Sequence, residues 1–320
     1  MSENLLEIRD LSIAFPAADG EALGVRALSL EVREGEALAV VGESGCGKTL
    51  TALAPLALVP KPGRLAGGEV LYGGRRVSEL EGAELRRFRG REVAMVFQEP
   101  MTSLNPTFSV GYQLGEAVDP EGKLPKRVRA ERSVALLREV GVPEPEKRLG
   151  VYPHQLSGGL RQRVMIAAAL AGEPRLLIAD EPTTALDVTV EAQIMDLLEK
   201  LRRERGMALM LITHDLGVVA QYAERVVVMY GGMVVEEASV KEIFNAPLHP
   251  YTEGLLGSLP KRGRALRPIP GNVPSLGNFP SGCPFRGRCS REVERCAQGL
   301  PELAAAKNRK VRCIRVGEDG

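Results

Sequence analysis

Eight consecutive residues, Gly42-Glu43-Ser44-Gly45-Cys46-Gly47-Lys48-Thr49, constrain this chain more than any other stretch. They fit the pattern G-x-x-x-x-G-K-[ST] and follow an apolar run at 37–41. A loop that grips phosphate needs a buried strand before it and a helix N-terminus after it. Its glycines let successive backbone N–H groups turn inward, its lysine reaches the terminal phosphates, and its Ser/Thr hydroxyl can ligate Mg²⁺. The pattern predicts strand, loop and helix in that order, a bound nucleoside triphosphate, and Lys48 and Thr49 in those two roles.

With 320 residues, 44% of them hydrophobic, the chain can bury one large α/β domain and something smaller. Its net charge of +1 gives no global reason to expect nucleic acid as a partner. The charge is uneven, however: residues 261–315 hold thirteen Lys/Arg against three Glu. The acidic start, 1–10, lacks the apolar core of a signal peptide, and no run of about 18 apolar residues occurs, so neither leader nor membrane span is expected. Four of the five cysteines, Cys283, Cys289, Cys296 and Cys313, crowd the C-terminal end. In a cytosolic chain such thiols stay reduced, which favours a metal or cluster site over disulfides.

Leu11, Ile13 and Phe15 alternate in strand fashion, as do Leu28, Leu30 and Val32, around a turn candidate at Ala17-Ala18-Asp19-Gly20. Short apolar runs at 93–97, 176–179, 208–213 and 226–230 read as strands, with helices at 49–58 and 188–204 between them. Tyr230-Gly231-Gly232-Met233 reads as a two-residue hairpin turn. Between about 99 and 171 the pattern turns helical, as at 127–140 with Val128, Val134, Leu137 and Val140 on one stripe. Strands alternating with helices predict a mainly parallel sheet. After Asn245, nine prolines from Pro247 to Pro301 exclude long helices and central strands. The expected fold class is α/β: a P-loop core over 1–245 with an antiparallel N-terminal β part and a helical insert at about 99–171, then an irregular, cysteine-containing appendage over 246–320.

A second acidic element completes the phosphate chemistry. The run Leu176-Leu177-Ile178-Ala179 ends in Asp180-Glu181. A carboxylate at a strand end can hold Mg²⁺ (Asp180), and its neighbour can orient or deprotonate an attacking water (Glu181). Upstream, Leu156-Ser157-Gly158-Gly159-Leu160-Arg161-Gln162-Arg163 resembles the signature motif of ATP-binding cassette (ABC) ATPases. The resemblance extends to Gln98 as Q-loop glutamine, Ala185-Leu186-Asp187 as D-loop, His214 as switch histidine and Phe15 as the aromatic that stacks on adenine. It implies that Glu181, His214 and Gln98 serve catalysis. Thr49, Gln98 and Asp180 would hold Mg²⁺. Residues 42–49 with Phe15, Ser157, Gly158, Gly159 and Asp187 would bind ATP. One chain already has its own phosphate loop, so in this family Ser157-Gly158-Gly159 closes over ATP held by a second subunit. Leu160 departs from the commonest pattern, where glutamine stands, and cannot hydrogen-bond the nucleotide.

Within that family the chain resembles the ATPases of oligopeptide/dipeptide importers. The resemblance rests on Gln98-Glu99-Pro100-Met101-Thr102-Ser103-Leu104-Asn105-Pro106, on His249-Pro250-Tyr251-Thr252, and on Gly282-Cys283-Pro284-Phe285-Arg286-Gly287-Arg288-Cys289 followed by Cys296 and Cys313. The cysteine spacing, C-x5-C-x6-C-x16-C, matches neither a zinc-finger pair nor a ferredoxin run. The resemblance points to a [4Fe–4S] cluster; zinc and ordinary buried thiols remain alternatives. The many nearby basic residues are expected to favour the thiolate form. Implied partners are a second ABC ATPase subunit, two transmembrane permease subunits and an extracytoplasmic solute-binding protein, with the chain at the cytoplasmic face of the membrane. Nickel or another small solute is an alternative cargo. A soluble ABC ATPase acting on nucleic acid is the rival class.

Overall fold

The computed structural model describes residues 4–17, 20–99, 103–259, 268–306 and 308–316. The turn at Ala18-Asp19, the stretch Pro100-Met101-Thr102 after Gln98, and basic residues 261–267 and 307 lie outside them. The fold divides into two compact units. One comprises Met1–Arg33, Ala37–Glu79 and Leu211–Gly320; the other comprises Glu34–Glu36 and Leu80–Met210.

In the first unit, strands β1 (Asn4–Ala17) and β2 (Gly20–Arg33) form a long antiparallel pair, with β4 (Arg64–Tyr72) and β5 (Arg75–Arg76) completing a sheet of order β2-β1-β4-β5. A second sheet holds β3 (Ala37–Val41), β9 (Arg225–Tyr230), β10 (Met233–Ser239) and two short strands, β11 (Ala304–Ala306) and β12 (Arg309–Val311), in the order β11-β12-β10-β9-β3. β3 runs parallel to β9, and every residue of both strands is buried, in keeping with the unbroken apolar runs at 37–41 and 226–230. β9 and β10 form the expected hairpin: Tyr230 pairs with Met233, and Gly231 and Gly232 have φ of 58° and 79°. Two positive φ angles define a turn whose twist matches the strands.

In the second unit, β6 (Val93–Val96) and β7 (Leu176–Asp180) pair in parallel. Between them come helices α3 (Val110–Val118), α4 (Lys126–Glu139), α5 (Pro145–Arg148) and α6 (Gly158–Leu170), and α7 (Val188–Arg205) follows β7. Preceding β6 is α2 (Gly82–Arg91), whose helical geometry breaks at Arg89 and Gly90. Strand β8 (Ala208–Thr213) carries the chain back into the first unit, where α8 (Leu216–Tyr222) and α9 (Val240–Asn245) lie.

Two elements differ from the sequence expectation. The helix expected at 49–58 is α1 (Lys48–Leu53), followed by a single 3-10 turn at Ala54–Leu56. Pro55 supplies no N–H to continue the α-helix, and Ala57 ends the turn at a φ of 50°. The C-terminal region is more regular than its prolines suggest, with helix α10 at Pro250–Gly257 besides β11 and β12. Pro250 sits at the first helical position, where a missing N–H costs nothing, and the His249 side chain caps the helix by accepting from the Tyr251 N–H. Strands of three residues are too short to show a two-residue alternation.

A candidate nucleotide site

The phosphate loop leaves the buried end of β3 and enters α1 through Gly47, which has φ 96°. A Cβ at Gly47 would stand 2.6 Å from the Gly24 carbonyl oxygen, and one at Gly42 would stand 2.3 Å from that of Met229. Neither position can hold a side chain without displacing main chain. Lys48 is buried and its ammonium donates to the carbonyls of Gly42 (2.7 Å) and Glu43 (3.1 Å). Thr49 is exposed at the head of α1. Cys46 is a packing residue: it is 1% exposed, and burial pushes its thiol pKa up. Ser44 and Gly45 are exposed. Phe15 is half-buried on β1, with its ring edge close to Gly24 and Gly63. His214 is exposed in the link between β8 and α8.

The second unit brings Gln98 and Glu181 together. Gln98 lies just past β6, Glu181 just past β7, and Gln98 Nε2 donates to Glu181 Oε2 at 3.1 Å. Thr184 Oγ1 donates to the same oxygen at 2.9 Å. Glu181 has φ 44° although it precedes Pro182, a place where the backbone is normally extended. Such strain survives only where the surroundings impose it, and it clusters at working sites. Asp180, the last residue of β7, is 2% exposed, and its Oδ1 is buried with no hydrogen bond to it, while other contacts engage the residue. A carboxylate oxygen so placed is a chemically suitable ligand for a hard cation such as Mg²⁺.

The signature and D-loop residues are also neighbours. Ser157 caps α6, its Oγ accepting from the Leu160 N–H at 3.4 Å, and Asp187 caps α7 by accepting from Val190 at 3.0 Å. A Cβ on Gly158 would lie 3.3 Å from Leu186, and one on Gly159 would lie 2.7 Å from Val190. The glycines therefore allow the start of α6 to press against the D-loop. Leu160 contributes its backbone N–H to the cap, a role that any side chain would permit. Sequence reasoning missed Thr184; the hydroxyls of Thr183 and Thr184 immediately after Glu181-Pro182 were the available signal.

The four C-terminal cysteines line one small cavity together with His249, Pro250 and Phe285. All four are free thiols. Among the described residues, no group of three or more His, Cys, Asp or Glu is placed to hold a metal ion. The sulfur donors thus suit a thiophilic metal by chemistry, while their arrangement is not a closed ligand set. The expected thiolate-favouring basic surroundings are corrected by the structure. Burial pushes the thiols of Cys283 and Cys313 up, and that of Cys289 up to about 11. Burial outweighs the cations: Arg291 and Arg315 pull the Cys313 thiol down, but by less than burial pushes it up. Arg288 pairs with Glu43, Arg291 with Glu253, Lys310 with Glu237, and Arg312 donates to the carbonyls of Val234 and Pro301.

Known proteins bear on this geometry. Residues 25–184 match the family model described as ABC transporter, and residues 235–296 match that of the oligopeptide/dipeptide transporter C-terminal region. The chain is an ATPase of the ABC transporter family. A dipeptide transport ATP-binding protein of Haemophilus influenzae is 47% identical, covering 97% of this chain and 94% of that protein. An oligopeptide transport ATP-binding protein of Salmonella typhimurium is 46% identical, covering 98% and 95%. Within the family, then, the chain belongs among the ATP-binding subunits of the oligopeptide/dipeptide transporters. A solved dimeric ATP-binding cassette, in a post-hydrolysis state with ADP and Pi, is 28% identical with a TM-score of 0.66, covering 73% of this chain and 98% of its own.

Proposed function

We propose that this chain powers the import of di- or oligopeptides by binding and hydrolysing ATP as one half of a head-to-tail ATPase dimer. The observation that carries the reading is the hydrogen bond from Gln98 to Glu181, at a backbone position as strained as Glu181. It fixes one carboxylate oxygen through Gln98 and Thr184, and a carboxylate oriented in this way can take a proton from, or orient, a water. In this reading Lys48 and the backbone of residues 42–49 hold the phosphates, and Phe15 supports the adenine. Asp180, Thr49 and Gln98 are the groups that would hold Mg²⁺, which when bound offsets the charge of the β- and γ-phosphates. His214 contacts the γ-phosphate end. Ser157, Gly158, Gly159 and Asp187 serve the ATP of the partner subunit, because the first turn of α6 offers backbone N–H groups to an anion.

ATP binding draws two such subunits together and hydrolysis lets them part, which switches a pair of permease subunits between inward and outward access. No helix among the described residues is long and apolar enough to cross a membrane, so attachment to its cytoplasmic face falls to those permeases. A solute-binding protein delivers the peptide. Cys283, Cys289, Cys296 and Cys313 would be the donors for a [4Fe–4S] cluster or for zinc, with ordinary buried thiols as the alternative; an anaerobic preparation free of iron and colour removes the cluster.

Glu181→Gln tests the ATPase assignment. It is expected to bind ATP normally and to hydrolyse it on the order of 100-fold or more slowly, the usual loss on removing a general base. Turnover near the wild-type rate removes Glu181 from its role. Purification from detergent-solubilised membranes, with identification of the permease and binding protein that come with the chain, tests the peptide cargo.

A further inference from the structure

Glu43 is an unusual residue to find inside a loop built for phosphate. The site must take a ligand with several negative charges, and a carboxylate two residues before Gly45 opposes it. All of Glu43's polar groups nevertheless have partners. Its carbonyl accepts from Lys48 Nζ at 3.1 Å, its N–H donates to the Tyr251 hydroxyl at 2.8 Å, and its carboxylate takes both arms of Arg288 at 2.7 and 3.0 Å. Tyr251 and Arg288 come from far along the chain, from α10 and from the residue beside Cys289.

Arg288 is held by a full set of acceptors. It is 7% exposed, and its five N–H donors are all used. Nε donates to the Pro270 carbonyl (2.9 Å), Nη1 to Glu43 Oε2 and the Tyr230 hydroxyl (3.3 Å), and Nη2 to Glu43 Oε1 and the Gly271 carbonyl (3.3 Å). Its guanidinium also lies 5.7 Å from the Tyr230 ring centroid and 5.9 Å from that of Phe285. Tyr251 is fully buried against the same two rings, with centroids 4.7 Å from Tyr230 and 5.3 Å from Phe285. One aromatic cluster therefore aims two polar groups at one loop residue, and that residue's carbonyl holds the lysine.

We propose that Arg288 and Tyr251 are positioning residues of the ATP site: Arg288 neutralises Glu43, Tyr251 fixes its main chain, and together they set the entrance of the phosphate loop and hence its grip on ATP. The proposal rests on residues 42–49 binding ATP, and it gives the C-terminal segment a part in nucleotide affinity. A fork with five satisfied donors also explains why this position needs arginine; lysine is a point charge that could meet only some of these acceptors.

The test uses the full-length chain with Mg-ATP as the probe, measuring the ATP dissociation constant, KM, kcat and thermal midpoint. Arg288→Gln leaves Glu43 charged beside the phosphates, so the ATP dissociation constant and KM should rise about tenfold or more, with kcat at saturating ATP within about threefold. The defect should shrink as ionic strength rises. Adding Glu43→Gln to Arg288→Gln should recover most of the affinity, because the charge needing neutralisation is gone; Arg288→Lys should fall between. A staple with no electrostatic part would lower the thermal midpoint and the active fraction, leave KM alone and show no recovery from Glu43→Gln, and that pattern overturns the proposal. If Arg288→Gln does not fold, Tyr251→Phe removes the other half of the proposal, the hydroxyl that accepts from the Glu43 N–H, with the ring packing kept: a higher KM at retained kcat supports the proposal, and an unchanged KM overturns it. Wild-type chain that fails to bind ATP would instead remove the phosphate-loop reading on which this one stands.

Discussion

The phosphate loop and the four-cysteine segment are both glycine-bearing bends in the same unit, and they are held in different ways. The loop's path follows from residue types at fixed spacing: Gly42 and Gly47 let it press against the main chain of Met229 and Gly24, and Lys48 folds onto the loop's own carbonyls. The cysteine segment has one such approach, at Gly282 against the Cys296 carbonyl, and otherwise leans on a distant aromatic floor. Phe285 is 2% exposed and packs its ring at 5.2 Å from Tyr230 and 5.3 Å from Tyr251, and the arginines around it reach out to carboxylates elsewhere. A chain can thus make a rigid bend from local backbone rules or from a distant aromatic floor, and only the first leaves a compact pattern.

The largest effect that would break this comparison is expected at Phe285. It belongs to a core cluster with Tyr230, Tyr251, Val228 and Leu256. Phe285→Ala should cost about 3–5 kcal/mol of stability by chemical denaturation, the usual range for a buried aromatic. A cost near zero would mean that the segment holds its shape without that floor.

A smaller, pH-dependent effect is expected at His249. The ring is 2% exposed and its Nδ1 accepts from the Tyr251 N–H, so burial pushes its pKa down to about 3. A base with a depressed folded pKa is stabilising above its unfolded pKa, near 6.5, because the folded state then has no proton to refuse. As pH falls from there toward 3, the unfolded chain takes the proton and the folded chain does not. Stability should therefore be flat above pH 7 and fall by up to about 2 kcal/mol by pH 5, at about 1.4 kcal/mol per pH unit. His249→Gln should flatten that part of the curve. An identical slope in the variant would show that His249 does not supply the dependence.

How much of this was legible in the sequence follows the same divide. The loop, the hairpin at Gly231-Gly232, the strand ending in Asp180 and the signature serine all obey short-range rules, so residue type at fixed spacing announced them. The helix at Pro250–Gly257 was hidden because a proline was read as a breaker when it stands at a helix start. The pairing of Gln98 with Glu181 spans 83 residues, and that of Arg288 with Glu43 spans 245. No local period carries either contact. The basic run around the cysteines misleads for a related reason: composition reports that cations are near, not that burial of the thiols outweighs them.

The smallest effect is expected at Arg291, three residues beyond Arg288 in the same segment. Its pair with Glu253, at 2.6 Å, leaves the two side chains 41% and 54% exposed, against 7% and 28% for Arg288 and Glu43. Water screens an exposed pair and ordering two long side chains costs entropy, so such contacts contribute about 0–1 kcal/mol. Arg291→Ala should therefore change unfolding free energy by less than about 1 kcal/mol, and because its carboxylate partner Glu253 lies outside the loop it should leave the ATP dissociation constant unchanged. Measured beside Arg288→Gln in one preparation, the two variants separate the charge of the segment from the placement of that charge. Equal losses of ATP affinity in both would mean that the segment acts on the nucleotide through its overall positive field, and the directed contact with Glu43 would lose its meaning.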